Sequence, residues 1–158
     1  DRLADFGKSI PVSLEVIVQP INGIEEAFAM ANAKFKGHLI LRLIPWSLKN
    51  TWQSLAKSDA VVIPSNNSQK KMAKSPNRVV ESIRNGRFVV AHPVTSYSNY
   101  NDYIRIDTDI IKGLSWMINN QSRIKSLIEK GQAYVEQHNS PGAVANNWLK
   151  LITSVHNS

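Results

Sequence analysis

Short, almost wholly apolar runs alternate along this chain with segments whose apolar residues follow helical spacing. Runs such as 14–18 (LEVIV) and 60–63 (AVVI) predict strands, because a strand that is apolar at nearly every position is buried on both faces. Strands that alternate with helices are typical of a parallel sheet with helices on both faces. We therefore predict an α/β fold with a parallel sheet of about five strands and a helical C-terminus.

Proline, glycine and polar turns mark the ends of the predicted elements. Ile24 begins the first predicted helix and Gly37 ends it, and its residues Ile24, Phe28 and Phe35 are predicted to lie in the core. The predicted strands are 14–18, 38–44, 60–63, 87–91 and 103–106, and the predicted helices are 24–35, 51–57, 76–85, 109–119, 122–138 and 141–155.

The composition excludes several kinds of site. Cysteine is absent, which excludes a disulfide scaffold, a cysteine-ligated zinc site and a thiol nucleophile. The 4 histidines lack the spacing of metal ligands, so we expect no metal site. Lys and Arg number 19 against 12 acids, and the net charge of +7 favours anionic partners. Four interpretations fit this charge: binding of nucleotide phosphates, binding of nucleic acid, peripheral contact with an anionic membrane, and a basic surface without a specific partner.

Ligands of parallel α/β sheets bind beyond the carboxyl ends of the strands. Each residue that follows a strand could also be an ordinary turn residue without a role in binding. Tyr97, Tyr100 and Tyr103 could offer a stacking face to a base, although we favour a surface loop in which one tyrosine turns inward. The candidates that follow the predicted strands are Gln19, Trp46, residues 65–67, His92, Ser96 and Tyr97.

The segment after residue 73 carries the strongest pattern. Ser75 followed by Pro76 is typical of a helix N-cap and first helical position, and the free N–H groups of a helix start bind phosphate. On that helix, Glu81 lies opposite the apolar stripe, so it faces a cleft or solvent, where an Arg78–Glu81 ion pair is the simpler alternative. A carboxylate there suits a ribose diol, since it has two acceptor oxygens. Positive charge around the helix start comes from Lys70, Lys71, Lys74 and Arg78.

The stretch from residue 55 to residue 93 resembles the C-terminal half of GT-B-fold glycosyltransferases of the group 1 type. The resemblance lies in Ala56-Lys-Ser-Asp59, Val61-Val-Ile-Pro-Ser65, Glu81, Gly86 and Val89-Val-Ala91, in that order. It implies a Rossmann-like domain over 12–158 that binds a nucleoside-diphosphate sugar as substrate, without cofactor. It implies that Glu81 binds the ribose. The predicted donor-binding residues are Ser65, Lys74, Ser75, Pro76, Asn77, Arg78, Glu81, His92, Ser96 and Tyr97.

The sequence departs from that family at two points. Many members carry another Glu with seven residues between it and the position of Glu81, where Ala73 stands here, and 19–23 (QPING) replaces a glycine-rich turn. The resemblance implies that acceptor and catalytic base belong to an N-terminal domain, to which residues 1–11 would be a linker or strap. We therefore expect a piece of a longer, cytoplasmic glycosyltransferase that transfers little or no sugar alone.

Three other functions compete with this interpretation. A non-catalytic nucleotide- or sugar-binding or scaffold module of the same fold would explain the missing Glu. A basic nucleic-acid-binding domain is less favoured, because no recognition motif accompanies the charge. A flavodoxin-like receiver or flavin domain is disfavoured, since Gln19-Pro20 stands where a receiver has acidic residues.

Overall fold

The computed structural model of the protein describes residues 2–65 and 74–156. Within them the predicted α/β class is confirmed: every paired strand runs parallel, and the C-terminal part is helical. The chain divides into two compact units, Asp1–Ser58 and Asp59–Ser158. The predicted linker at 1–11 and single domain over 12–158 stay predictions. Among the sequence candidates, Asn66, Asn67, Lys70, Lys71 and Ala73 lie outside the described residues.

The first unit is built on two parallel strands. In their register Val12 lies opposite Leu39 and Val18 lies opposite Pro45. Its elements are α1 (Arg2–Gly7), β1 (Val12–Val18), α2 (Ile24–Lys34), β2 (Leu39–Pro45) and α3 (Leu48–Lys57).

Helix α1 was not expected, because residues 1–11 are predicted to be a linker or strap. It forms because its small residues Ala4 and Gly7 are buried where the helix packs on β2. A Cβ on Gly7 would collide with the backbone carbonyl of His38, so this close approach requires glycine.

The prediction that Ile24, Phe28 and Phe35 lie in the core overstated how deeply they are buried. All three are only half-buried, and α2 has no fully buried residue. A polar contact also joins α2 to β2. The Asn32 side chain donates to the Leu41 carbonyl and accepts from the Leu41 N–H, both at 2.8 Å.

The second unit contains a three-stranded parallel sheet with β4 in the centre. Ala60 lies opposite Phe88, and Ala91 lies opposite both Ile63 and Ile106. Its elements are β3 (Ala60–Ile63), α4 (Asn77–Arg84), β4 (Phe88–Ala91), a 3₁₀ helix (Thr95–Tyr100), β5 (Arg105–Ile106), α5 (Ile110–Asn119), α6 (Gln121–Asn139) and α7 (Pro141–His156).

The core of the second unit surrounds β4, whose four residues are all buried. Val79 and Ile83 of α4 and Val135 of α6 complete it. The ring centroid of Trp116 on α5 lies 6.0 Å from that of Phe88. Trp148 on α7, by contrast, is 61% exposed. No helix in the described part of the chain has the length and hydropathy to cross a membrane.

Candidate functional site at the carboxyl edge of the second sheet

The three strands of the second unit end together, because Ile63, Ala91 and Ile106 are opposite one another in the ladder. The residues that follow them therefore share one edge. Ser65 and His92, both predicted as site residues, meet there, as the carboxyl-end rule implies.

The His92 ring is held by the backbone of Ser65. Its Nδ1 lies 2.9 Å from the Ser65 nitrogen and 2.5 Å from the Ser65 carbonyl oxygen. A bare Nδ1 accepts from the N–H and a protonated Nδ1 donates to the carbonyl, so the tautomer selects the bond. The His92 N–H donates to the Ile63 carbonyl at 3.1 Å. Backbone and ring together fix His92 against the end of β3.

Helix α4 begins one residue later than predicted. Pro76 is the N-cap and Asn77 the first helical residue, whereas the sequence suggested Ser75 as the cap. The Pro76 carbonyl accepts the Val80 N–H at 3.0 Å. Proline has no side-chain acceptor, and no other described side chain accepts from the first-turn N–H groups. This end keeps the partial positive charge of a helix start.

The two faces of α4 differ as the sequence predicts. Val79, Val80 and Ile83 are buried in the core. Asn77, Arg78 and Glu81 are exposed on the other face. Within the described residues no ion pair joins Arg78 to Glu81. The simpler alternative, an Arg78–Glu81 pair, therefore does not form.

The segment after β4 contacts the start of α4. The Ser96 hydroxyl donates to the Lys74 carbonyl at 2.6 Å. Tyr97, the next residue, is 3% exposed, and its burial raises the pKa of the phenol while the nearby charge of Arg78 lowers it in part. Lys74, Arg78 and Ser96 are thus brought to one region, with Ser75, Pro76 and Asn77 between them in the chain.

Both interpretations of the tyrosine segment are wrong. The segment is a 3₁₀ helix, and Tyr97 and Tyr100 are both buried, so no stacking face for a base is exposed. Burial raises the pKa of Tyr100, whose hydroxyl lies 3.2 Å from Asn139 Oδ1. Tyr103 packs on Tyr134, with ring centroids 5.0 Å apart. The polar composition of the segment did not predict these contacts, because their partners lie on α6, far along the chain.

Sequence reasoning missed Asp107, which follows β5 at the same edge. Its N–H donates to the Ala91 carbonyl at 2.9 Å, and its carboxylate accepts from the Asp109 N–H at 3.0 Å and from Arg105 Nη2 at 2.9 Å. The Asp109 N–H bond, with Arg105, holds the pKa of the Asp107 carboxyl below its ordinary value. The carboxyl-end rule, applied to the predicted strand 103–106, would have named this residue.

The other candidates lie in the first unit. Gln19 and Trp46 follow β1 and β2 at one edge of that sheet, where the Trp46 N–H donates to the Val18 carbonyl at 2.9 Å. The Trp46 side chain is 52% exposed. The described residues contain no group of three or more metal-ligating side chains.

The protein has a glycosyltransferase-like fold. Its structure is similar to the crystal structure of TarM, a GT-B glycosyltransferase, with a TM-score of 0.67 and 15% sequence identity. The match covers 95% of this chain and 31% of the TarM chain, so the chain spans about a third of its neighbour's length. No protein-family model and no curated protein matches the sequence.

Proposed function

We propose that this chain is the nucleotide-sugar-binding half of a glycosyltransferase. It would hold the nucleoside-diphosphate donor of a sugar that passes to an acceptor bound by an N-terminal domain outside this sequence. The observation that carries the proposal is the outer face of α4. There Arg78 and Glu81 are exposed and unpaired within the described residues, beside a helix start that no described side chain caps. The fold similarity to TarM supports it.

The donor would bind along α4. Its diphosphate would accept from the first-turn N–H groups and meet the charges of Lys74 and Arg78. Glu81 lies three residues beyond Arg78, about 4.5 Å along the axis at 1.5 Å per residue. Its two carboxylate oxygens would accept from the vicinal ribose hydroxyls. Diphosphate and ribose are adjacent in a nucleotide, as these groups are adjacent on the helix.

The chemical contribution of this half is electrostatic. As the sugar leaves, negative charge grows on the nucleoside diphosphate, and the helix start with Arg78 would stabilise that charge. The acceptor site and the proton-accepting base belong to the N-terminal domain in this proposal. The chain alone would bind donor and transfer little sugar. We propose a cytoplasmic location for the same enzyme, and the proposal requires neither a cofactor nor nucleic acid.

A second candidate is a non-catalytic binding module of the same fold. The observation in its favour is Ala73, which stands where many similar enzymes carry a glutamate. Both candidates predict donor binding. Sugar transfer by a longer chain that includes the N-terminal domain separates them, since only the first predicts it.

A thermal-shift panel with UDP, GDP, ADP and their sugar conjugates tests donor binding. At about 100 times Kd a ligand adds about 2.7 kcal/mol, which raises Tm by about 5–10 °C. We expect one nucleoside diphosphate to stabilise the wild type and the control Glu136→Ala, which removes an exposed glutamate of α6. Glu81→Ala should lose most of the shift. Equal shifts in Glu81→Ala and the wild type, or no shift with any nucleotide, contradict the proposal.

A further inference from the structure

One short segment, residues 92–97, contacts both ends of the connection between β3 and α4. His92 binds the backbone of Ser65 at the near end, and Ser96 binds the carbonyl of Lys74 at the far end. Residues 66–73 between these ends lie outside the described chain. Two side chains four residues apart thus contact Ser65 and Lys74, the residues that flank this connection.

We infer that His92 and Ser96 are positioning residues, which place Ser65 and Lys74 and thereby set the start of α4 against the carboxyl edge of the sheet. The inference deepens the proposed function and rests on it where it concerns donor affinity. It also revises two predicted donor-binding residues. Under this inference Ser96 acts on the donor through Lys74, and His92 acts through Ser65.

The element that carries Ser96 is itself anchored. The residue after it, Tyr97, is buried in the core, and so is Tyr100 at the end of the same 3₁₀ helix. Lys74, by contrast, is exposed, and the bond from Ser96 is its one hydrogen bond within the described residues. Ser96 lies on an element anchored in the core, and its hydroxyl binds the exposed residue Lys74. This is the arrangement expected of a positioning contact.

Burial raises the pKa of the Tyr97 phenol, and the charge of Arg78 lowers it in part. Residues 92–97 contact Ser65 at the end of β3 and Lys74 before the start of α4. Loss of the Ser96 contact should displace Lys74 while α4 keeps its buried face, since Val79 and Ile83 do not depend on Ser96.

Backbone amide NMR of the 158-residue chain tests the positioning without any ligand. In Ser96→Ala the heteronuclear NOE of Lys74 and Ser75 should fall and their amide signals should move. Ser96→Thr keeps a hydroxyl and should restore both. The control Ser98→Ala, an exposed serine of the same 3₁₀ helix, should change neither. If Ser96→Ala matches Ser98→Ala at Lys74 and Ser75, the inference is overturned for Ser96.

A matched pair tests His92. Asparagine places an amide group near the position of Nδ1, whereas glutamine reaches to the position of Nε2 and leaves Nδ1 unreplaced. His92→Asn should keep the heteronuclear NOE of the Ser65 amide near its wild-type value, and His92→Gln should lower it. Equal NOE values of Ser65 in the wild type, His92→Asn and His92→Gln overturn the inference for His92.

Titration of the same variants with UDP and GDP connects positioning to donor binding. Ser96→Ala should weaken the binding of the preferred nucleotide by about 3- to 10-fold, as expected for one lost hydrogen bond, and Ser96→Thr by less than about 2-fold. If Lys74 responds by NMR but the wild type binds no nucleotide, the proposed function fails and the positioning stands. If Ser96→Ala mobilises Lys74 yet binds nucleotide like the wild type, the link between positioning and donor affinity is overturned.

Discussion

The two units of this chain share parallel strands but bury their apolar residues to different depths. In the second unit β4 is buried along its whole length, and Phe88 is only 1% exposed. In the first unit no residue of β1 is fully buried, and β2 buries only Leu39. Similar apolar runs in the sequence therefore produce different cores.

The difference follows from how many elements cover each strand. Within the second unit, β4 has a strand on either side and packs against α4, α5 and α6. Among the described residues of the first unit, β1 and β2 pair only with each other, and each packs against one or two helices. The candidate site thus stands on the better packed scaffold, where Val79 and Ile83 fix α4 and leave its outer face available.

The largest expected effect compares one phenylalanine from each unit. Phe88→Ala should lower the free energy of unfolding by about 3–5 kcal/mol, because it leaves a cavity beside Trp116. Phe28→Ala removes a half-buried ring and should cost less than about 2 kcal/mol. Urea unfolding followed by circular dichroism measures both. Equal losses would show that the two units are packed alike, contrary to their burial.

A smaller effect tests whether polar contacts replace apolar burial in the first unit. Asn32→Ala leaves the half-buried Leu41 N–H and carbonyl without their partner and should cost about 1–2 kcal/mol. Asn146→Ala, at an exposed position of α7, is the matched control and should change stability little. Urea unfolding of both variants gives the difference. A loss in Asn32→Ala no larger than in the control would mean that α2 does not depend on this contact.

The strands were predictable from sequence because each depends on a local pattern. The bounds of β3, Ala60–Ile63, agree with the prediction, since Pro64 ends an apolar run. Helix α1 was not predictable, because it depends on a close approach between Gly7 and the His38 backbone. Helix α2 was predicted in place but not in burial, since burial depends on what covers it.

The candidate site shows the same division. Ser65 and His92 meet at the strand ends, as the position of both after predicted strands suggests. Helical periodicity correctly predicted that Arg78 and Glu81 lie on the outer face of α4. The bonds that hold the site were not predictable. The contact from Ser96 to Lys74 joins residues 22 positions apart and depends on the 3₁₀ helix. A run rich in serine, asparagine and tyrosine does not predict such a helix.

The smallest expected effect compares two aspartates whose carboxyl pKa lies below the usual 3.8. In Asp107 the cause is first the Asp109 N–H and then Arg105. In Asp5 it is Lys8, which donates at 2.7 Å between two exposed side chains. A carboxyl with a lowered folded pKa stabilises the protein above its unfolded pKa, and this contribution is lost as pH falls through the folded pKa. Both therefore predict a loss of stability below about pH 4.

Substitution and added salt should affect the stability contributions of the two carboxylates differently. Asp107→Asn should lower the free energy of unfolding at pH 7 by about 1 kcal/mol and should reduce the further loss between pH 5 and pH 2, in 1 M NaCl as in low salt. Asp5→Asn should have a smaller effect that 1 M NaCl removes, because an exposed pair is screened by ions. Urea unfolding across this pH range measures both. If Asp107→Asn keeps the full acid sensitivity of the wild type, the Asp107 contacts do not stabilise the edge of the second sheet, and its advantage over the first unit lies in apolar packing alone.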